Sequence, residues 1–150
     1  MMLASDQTPA GSAAVLQFRM FGPDSGGPAQ PDLRRLFRGQ RMTAARRARL
    51  GESGRILAMG GTRVVGLAAY ERTEREVRVT ELGFDLDSAY GADQIADGLL
   101  DALELACMAS GARRLVLLPR ATVAEALLRR RGYKALSAGI SGRWFEKNFV

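Results

Sequence analysis

Acid–base chemistry has few places to reside in this chain. Its 150 residues include no histidine and one cysteine, Cys107. Ser-His and Cys-His nucleophile pairs and the usual zinc ligand sets are therefore excluded together, and no metal site is expected. Proton transfer is left to carboxylates, tyrosines, the lone thiol and the backbone. Cys107 falls on the apolar stripe of a long helical pattern, where a small core residue is expected. It can form no internal disulfide, so a reducing, cytoplasmic setting is expected.

The backbone has one conspicuous opportunity, in residues 77–111. Val77, Val79, Leu82 and Phe84 form a β-rich run of mixed alternation, as in a strand buried partly on both faces. Asp87, Ser88, Gly91 and Ala92 break that run. Ile95, Leu99, Leu103 and Cys107 then recur at helical spacing until Gly111 closes the helix. A strand that feeds a helix through small residues aims free N–H groups at one point, an arrangement suited to a phosphate. An ordinary strand–helix unit has the same pattern.

Charge points the same way without settling it. The formal net charge is +6, and of 22 basic residues only Lys134 and Lys147 are lysine. Such a surface suits anionic partners. Seven arginines and no acid lie between Arg34 and Arg49, which reads as a solvated helical face or as a site for an acidic group. No aromatic platform or reading helix accompanies them, so nucleic acid is not an expected partner.

The elements around the central unit follow from period and punctuation. Residues 14–21 alternate as a first strand. Residues 33–40 (LRRLFRGQ) and 44–50 (AARRARL) form short helices, the second capped by Thr43 and stopped at Gly51. Residues 55–60 and 62–70 pair through the Gly60-Gly61 turn, with Gly66 marking a bulge or close approach. After Gly111, residues 113–118 make a short strand parallel to 77–84, because a helix connects them. Thr122 to Glu125 reads as a capping box for a last helix ending at Gly132, followed by strands at 133–136 and 143–149. With 47% hydrophobic and 25% charged residues, residues 14–150 are expected to form a single domain behind a flexible 1–13 tail. No run approaches a membrane span, and no secretory signal is expected.

This order of elements resembles the GNAT superfamily of acyl-CoA N-acyltransferases over residues 14–149. The most specific parts are GLLDALELACMASGARRLVLL, residues 98–118, and the later Ala124, Leu127, Gly132 and Tyr133. The resemblance implies an α/β fold with a mixed, mostly antiparallel sheet of six to seven strands, splayed at the fourth and fifth, and about four flanking helices. It also implies direct transfer of an acyl group, most simply acetyl, from acyl-CoA to an amine on a small molecule or protein, with a homodimer as an open possibility. By family spacing, the pyrophosphate loop falls on Gly91, Ala92, Asp93, Gln94, Ile95 and Ala96, and the backbone of Leu82, Gly83 and Phe84 faces the thioester.

The resemblance makes Glu81 the candidate base, on the strand beside the expected thioester, with an ion pair to an arginine as its alternative role. The tyrosine that often protonates the departing thiolate is replaced by Leu128, which leaves Tyr90, near the loop, as a substitute acid. The loop itself is degenerate. Gln94 stands where glycine is usual, Gly91 replaces Gln or Arg, and Asp93 places an anion where a cation is common, although Arg120 or Arg129 could offset it. A catalytically impaired binding or assembly module on the same fold is the alternative function.

Overall fold

The computed structural model of the chain describes residues 15–23, 33–118, 123–136 and 143–149. The expected 1–13 tail, Arg120 and Thr122 lie outside these residues. The elements are β1 (Leu16–Phe21), α1 (Leu33–Leu36), α2 (Ala44–Glu52), β2 (Gly54–Gly60), β3 (Arg63–Arg72), β4 (Glu76–Phe84), α3 (Ala92–Ala109), β5 (Arg114–Leu117), α4 (Glu125–Arg130), β6 (Lys134–Ala135) and β7 (Phe145–Asn148). They build a seven-stranded sheet in the order β1-β2-β3-β4-β5-β7-β6. Among the described strands only β4 and β5 run parallel, as the intervening helix requires.

Two apolar layers sandwich the sheet. On one face α3 and α4 bury Ile95, Leu99, Leu103, Cys107 and Leu128 against Ile56, Ala68, Val79 and Leu115. On the other, α1 and α2 cover Leu57, Met59, Leu67 and Ala69 with Leu36, Phe37 and Leu50. Close approach is bought with glycine: a Cβ on Gly66 would lie 2.5 Å from Ile95 Cγ2, beside a register shift at Ala58/Met59.

Several boundaries differ from the sequence reading for local reasons. The first helix is a single turn, because Gly39 takes φ +78° and leads the chain away. The second runs past Gly51 to Glu52; Ser53 then closes it, donating from N and from Oγ to Arg49 O at 3.0 and 2.7 Å. The N-cap of α4 is Ala124, with no side-chain cap bond, so the expected capping box does not start this helix. Gly111 and Gly132 both end helices at positive φ.

Cys107 packs in the α3 core, and burial pushes its thiol up from the ordinary range. A raised pKa keeps it protonated and slow to react. A thiol reagent at pH 8 is therefore expected to label the folded protein at least about a hundredfold more slowly than the urea-unfolded chain; equal rates would contradict this placement.

Candidate functional site

The candidate site backbone lies at one end of the sheet, where β4 and β5 part. Their pairing runs from Glu76↔Arg114 to Val79↔Leu117, and Leu118 N donates to Val79 O at 3.0 Å. Beyond that point, residues 80–84 have a strand partner only on the β3 side among the described residues.

A bulge governs what this run displays. The β3–β4 register shifts between Ala69 and Tyr70, so that Thr80 is the extra residue, and its Oγ1 donates to Ala69 O at 3.2 Å. Before the bulge, odd-numbered Val77 and Val79 face α3. After it, even-numbered Leu82 and Phe84 do. Glu81 is thereby swung to the α2 face, opposite Ala69. This change of phase is the physical origin of the mixed alternation in the sequence.

On that face Glu81 meets Arg46 of α2. Arg46 Nε donates to Oε2 at 2.8 Å and Nη2 to Oε1 at 2.6 Å. The guanidinium also reaches Gln40 Oε1 at 2.7 Å and Arg41 O at 3.2 Å, and lies 5.3 Å from the centre of the Phe37 ring. Both side chains are buried, at 8% and 7% exposure. Gly83 completes the contact, since a Cβ there would stand 2.8 Å from Leu36 O and from the Phe37 ring.

Residues 85–91 then turn the chain into α3. Asp85, with a fully buried side chain, accepts from Asp87 N at 3.0 Å and faces Arg63 at 3.0 Å and Arg35 at 3.8 Å. Arg38 pairs with Asp87, which holds the Asp87 carboxyl below its ordinary range through a hydrogen bond and charge. Arg35, Arg38 and Arg46 of the arginine-rich segment are therefore tied to β4 and its turn. Gly91 is the N-cap of α3, and no side chain caps the first turn, so N–H groups there lack intrahelical acceptors. Gly91, Ala92, Asp93 and Gln94 are exposed at this end, while Ile95 and Ala96 are buried and pack.

The two candidate acid–base groups are not brought together. Tyr90 packs with the α3-side core and covers Gly60 at the end of β2, where a Cβ would fall 2.6 Å from its ring. It is thus two strands away from β4 and on the opposite face from Glu81. Leu128 is a core residue. Arg129 is engaged with Glu125 at 2.7 Å. Tyr133 is buried and donates to Glu104 Oε2 at 2.9 Å, and burial holds its phenol protonated far above the ordinary range. Arg46 was missed by sequence reasoning, because nothing in a run of seven arginines distinguishes the one that turns inward.

A cavity of about 520 Å³ opens at the other end of the sheet, between Ser53, Tyr70 and Arg72. It lies by the C-terminus of α2, with Arg49 and Glu52 in its wall, and takes no part in the β4–β5 opening. Among the described residues no helix is long and apolar enough to cross a membrane.

No protein-family model and no curated protein sequence matches the chain. Solved structures match it in fold at low identity. The PaiA N-acetyltransferase of Thermoplasma acidophilum, in complex with coenzyme A, is 16% identical with TM-score 0.55, over 63% of this chain and 60% of that one. The N-acetylglutamate synthase of Neisseria gonorrhoeae, complexed with coenzyme A and N-acetyl-glutamate, is 13% identical with TM-score 0.67, over 99% of this chain and 37% of that one. A GNAT family acetyltransferase from Elizabethkingia anophelis with acetyl-CoA bound is 10% identical with TM-score 0.65, over 88% of this chain and 98% of that one. The chain thus spans less than two thirds of the first two proteins. Its fold is that of the GNAT acetyltransferases, with the mostly antiparallel sheet and flanking helices that the resemblance implied.

Proposed function

We propose that this chain is an acyl-CoA-dependent N-acyltransferase that moves an acyl group, most simply acetyl, directly from coenzyme A to an amine of a small molecule or protein. The observation that carries the reading is that the β4 run, which has no partner toward β5 among the described residues, and the uncapped first turn of α3 lie at the same end of the sheet. The first offers backbone donors for a thioester carbonyl: strand amides alternate in direction, and since Asp85 N donates to Val65 O of β3, those of Leu82 and Phe84 are turned to the opposite edge while Gly83 N faces β3. The second supplies N–H groups and a helix dipole for a pyrophosphate. In the reaction the amine nitrogen attacks the thioester carbon, the carbon–sulfur bond breaks, and the amine proton is lost as the thiolate gains one. Bringing the two reactants into register supplies much of the rate without a dedicated acid.

Titration calorimetry with acetyl-CoA and coenzyme A, followed by thiol release across a panel of amines, tests this. Micromolar binding with turnover is expected; no binding at high micromolar concentration overturns it. Asp93→Arg locates the phosphates. A carboxylate about 5 Å from a phosphate opposes binding by about 1 kcal/mol, so reversing its charge is expected to tighten coenzyme A binding about tenfold. Unchanged affinity would move the phosphates away from this turn.

One observation favours a second reading, a binding or assembly module without turnover: Glu81 is committed to Arg46, Tyr90 covers Gly60, and Leu128 is core. A thermal shift with coenzyme A but no thiol release over the amine panel would support it.

A further inference from the structure

We propose that Arg46 and Glu81 are a positioning pair, which holds the β4 run beyond its pairing with β5 in place for acyl transfer and exchanges no proton with substrate. The proposal rests on the acyltransferase reading above. Both carboxylate oxygens of Glu81 are engaged by one guanidinium, and the residue is 5% exposed. An incoming amine has little access to it.

The pair sits where the strand most needs support. Residues 80–84 have no β5 partner among the described residues, and they begin with a bulge, so one ladder alone fixes their height. Glu81 directly follows the bulge. Through Arg46 it is joined to α2, to Gln40 and Arg41 of the connecting loop, and to the face of Phe37, whose ring in turn covers Gly83. One guanidinium thus ties the whole α1–α2 segment to the stretch whose amides face the opening. A buried ion pair seldom stabilises more than apolar side chains of the same size, but it fixes geometry in a way they do not. Displacing catalytic groups by about 1 Å costs about a hundredfold in rate.

The test compares the parent with Arg46→Met/Glu81→Met and with Glu81→Gln. The double variant removes both charges together and is expected to fold, with acetyl-CoA affinity within about threefold of the parent, because α3 is untouched. Its kcat is expected to fall about a hundredfold, and amide exchange across residues 80–84 to quicken about tenfold or more, with α3 unchanged. Glu81→Gln should lower kcat while leaving the shape of its pH profile intact. Loss of the acidic limb in Glu81→Gln would make Glu81 the base and overturn the proposal. So would a folded double variant with parental kcat or unchanged exchange at residues 80–84. A parent that fails to bind acetyl-CoA would sink the acyltransferase reading itself, whereas parental turnover with an unaffected double variant sinks the positioning role alone.

Discussion

Glu104→Leu is expected to destabilise the protein by about 3 kcal/mol, lowering Tm by about 10 °C for a chain of this size. Glu104 is the buried hub that joins α3 to the C-terminal part of the fold. Its Oε2 accepts from Tyr133 Oη at 2.9 Å and from Arg131 Nε at 3.3 Å, and its Oε1 accepts from Lys147 Nζ at 3.0 Å. Leucine matches the volume but leaves the Tyr133 hydroxyl in the core without its acceptor. Two features limit the loss. Arg131 keeps Asp97 and Asp101, at 2.9 and 2.5 Å, and the Lys147 side chain, 25% exposed, can turn to water. Glu104→Gln retains an acceptor and should cost about half as much. Urea titration of both variants checks the ranking; a loss below about 1 kcal/mol for leucine would mean that the hub contributes only packing.

Gly83→Val is expected to cost about 3 kcal/mol or more and to abolish any acyl transfer. The first atom added, a Cβ, would stand 2.8 Å from Leu36 O and from two atoms of the Phe37 ring. The carbonyl belongs to the backbone of α1 and cannot rotate aside, so the helix must lift from β4. That movement would disturb the Arg46–Glu81 contact and the strand edge together. Gly91→Ala is the control. Nothing lies within 4 Å of its Cβ position, and its φ of −68° suits any residue. Its cost should stay near about 1 kcal/mol, the loss of an N-cap preference. Chemical denaturation separates the two; comparable losses would show that the crowding at Gly83 is relieved without moving α1.

The architecture was legible because its signals are local and repeated. The change from strand to helix period after Phe84, the Gly60-Gly61 turn and the glycines that end α3 and α4 each depend on a few adjacent residues. The parallel placement of β5 followed from the length of its connection. What could not be read was phase and partnership across the sheet. A threonine at position 80 carries no mark of a bulge, yet that residue decides which face Glu81 meets. Arg46 likewise differs from its neighbours only in being opposite Glu81 after folding. Candidate acid–base groups chosen from nearness in sequence, such as Tyr90, were separated because the chain leaving β4 passes over β3 and β2 before α3 begins to pack.

The buried thiol has a consequence for how this surface responds to its surroundings. The chain lacks histidine, the side chain whose ordinary range lies between pH 5 and 8. The next side chain in line, Cys107, is pushed further up by burial. The positive field of the arginine-rich side is therefore close to constant across physiological pH. Its reach is set by dissolved salt, through a screening length of about 8 Å at physiological ionic strength. Ionic strength, rather than acidity, is the variable that tunes how strongly this molecule draws anions toward it.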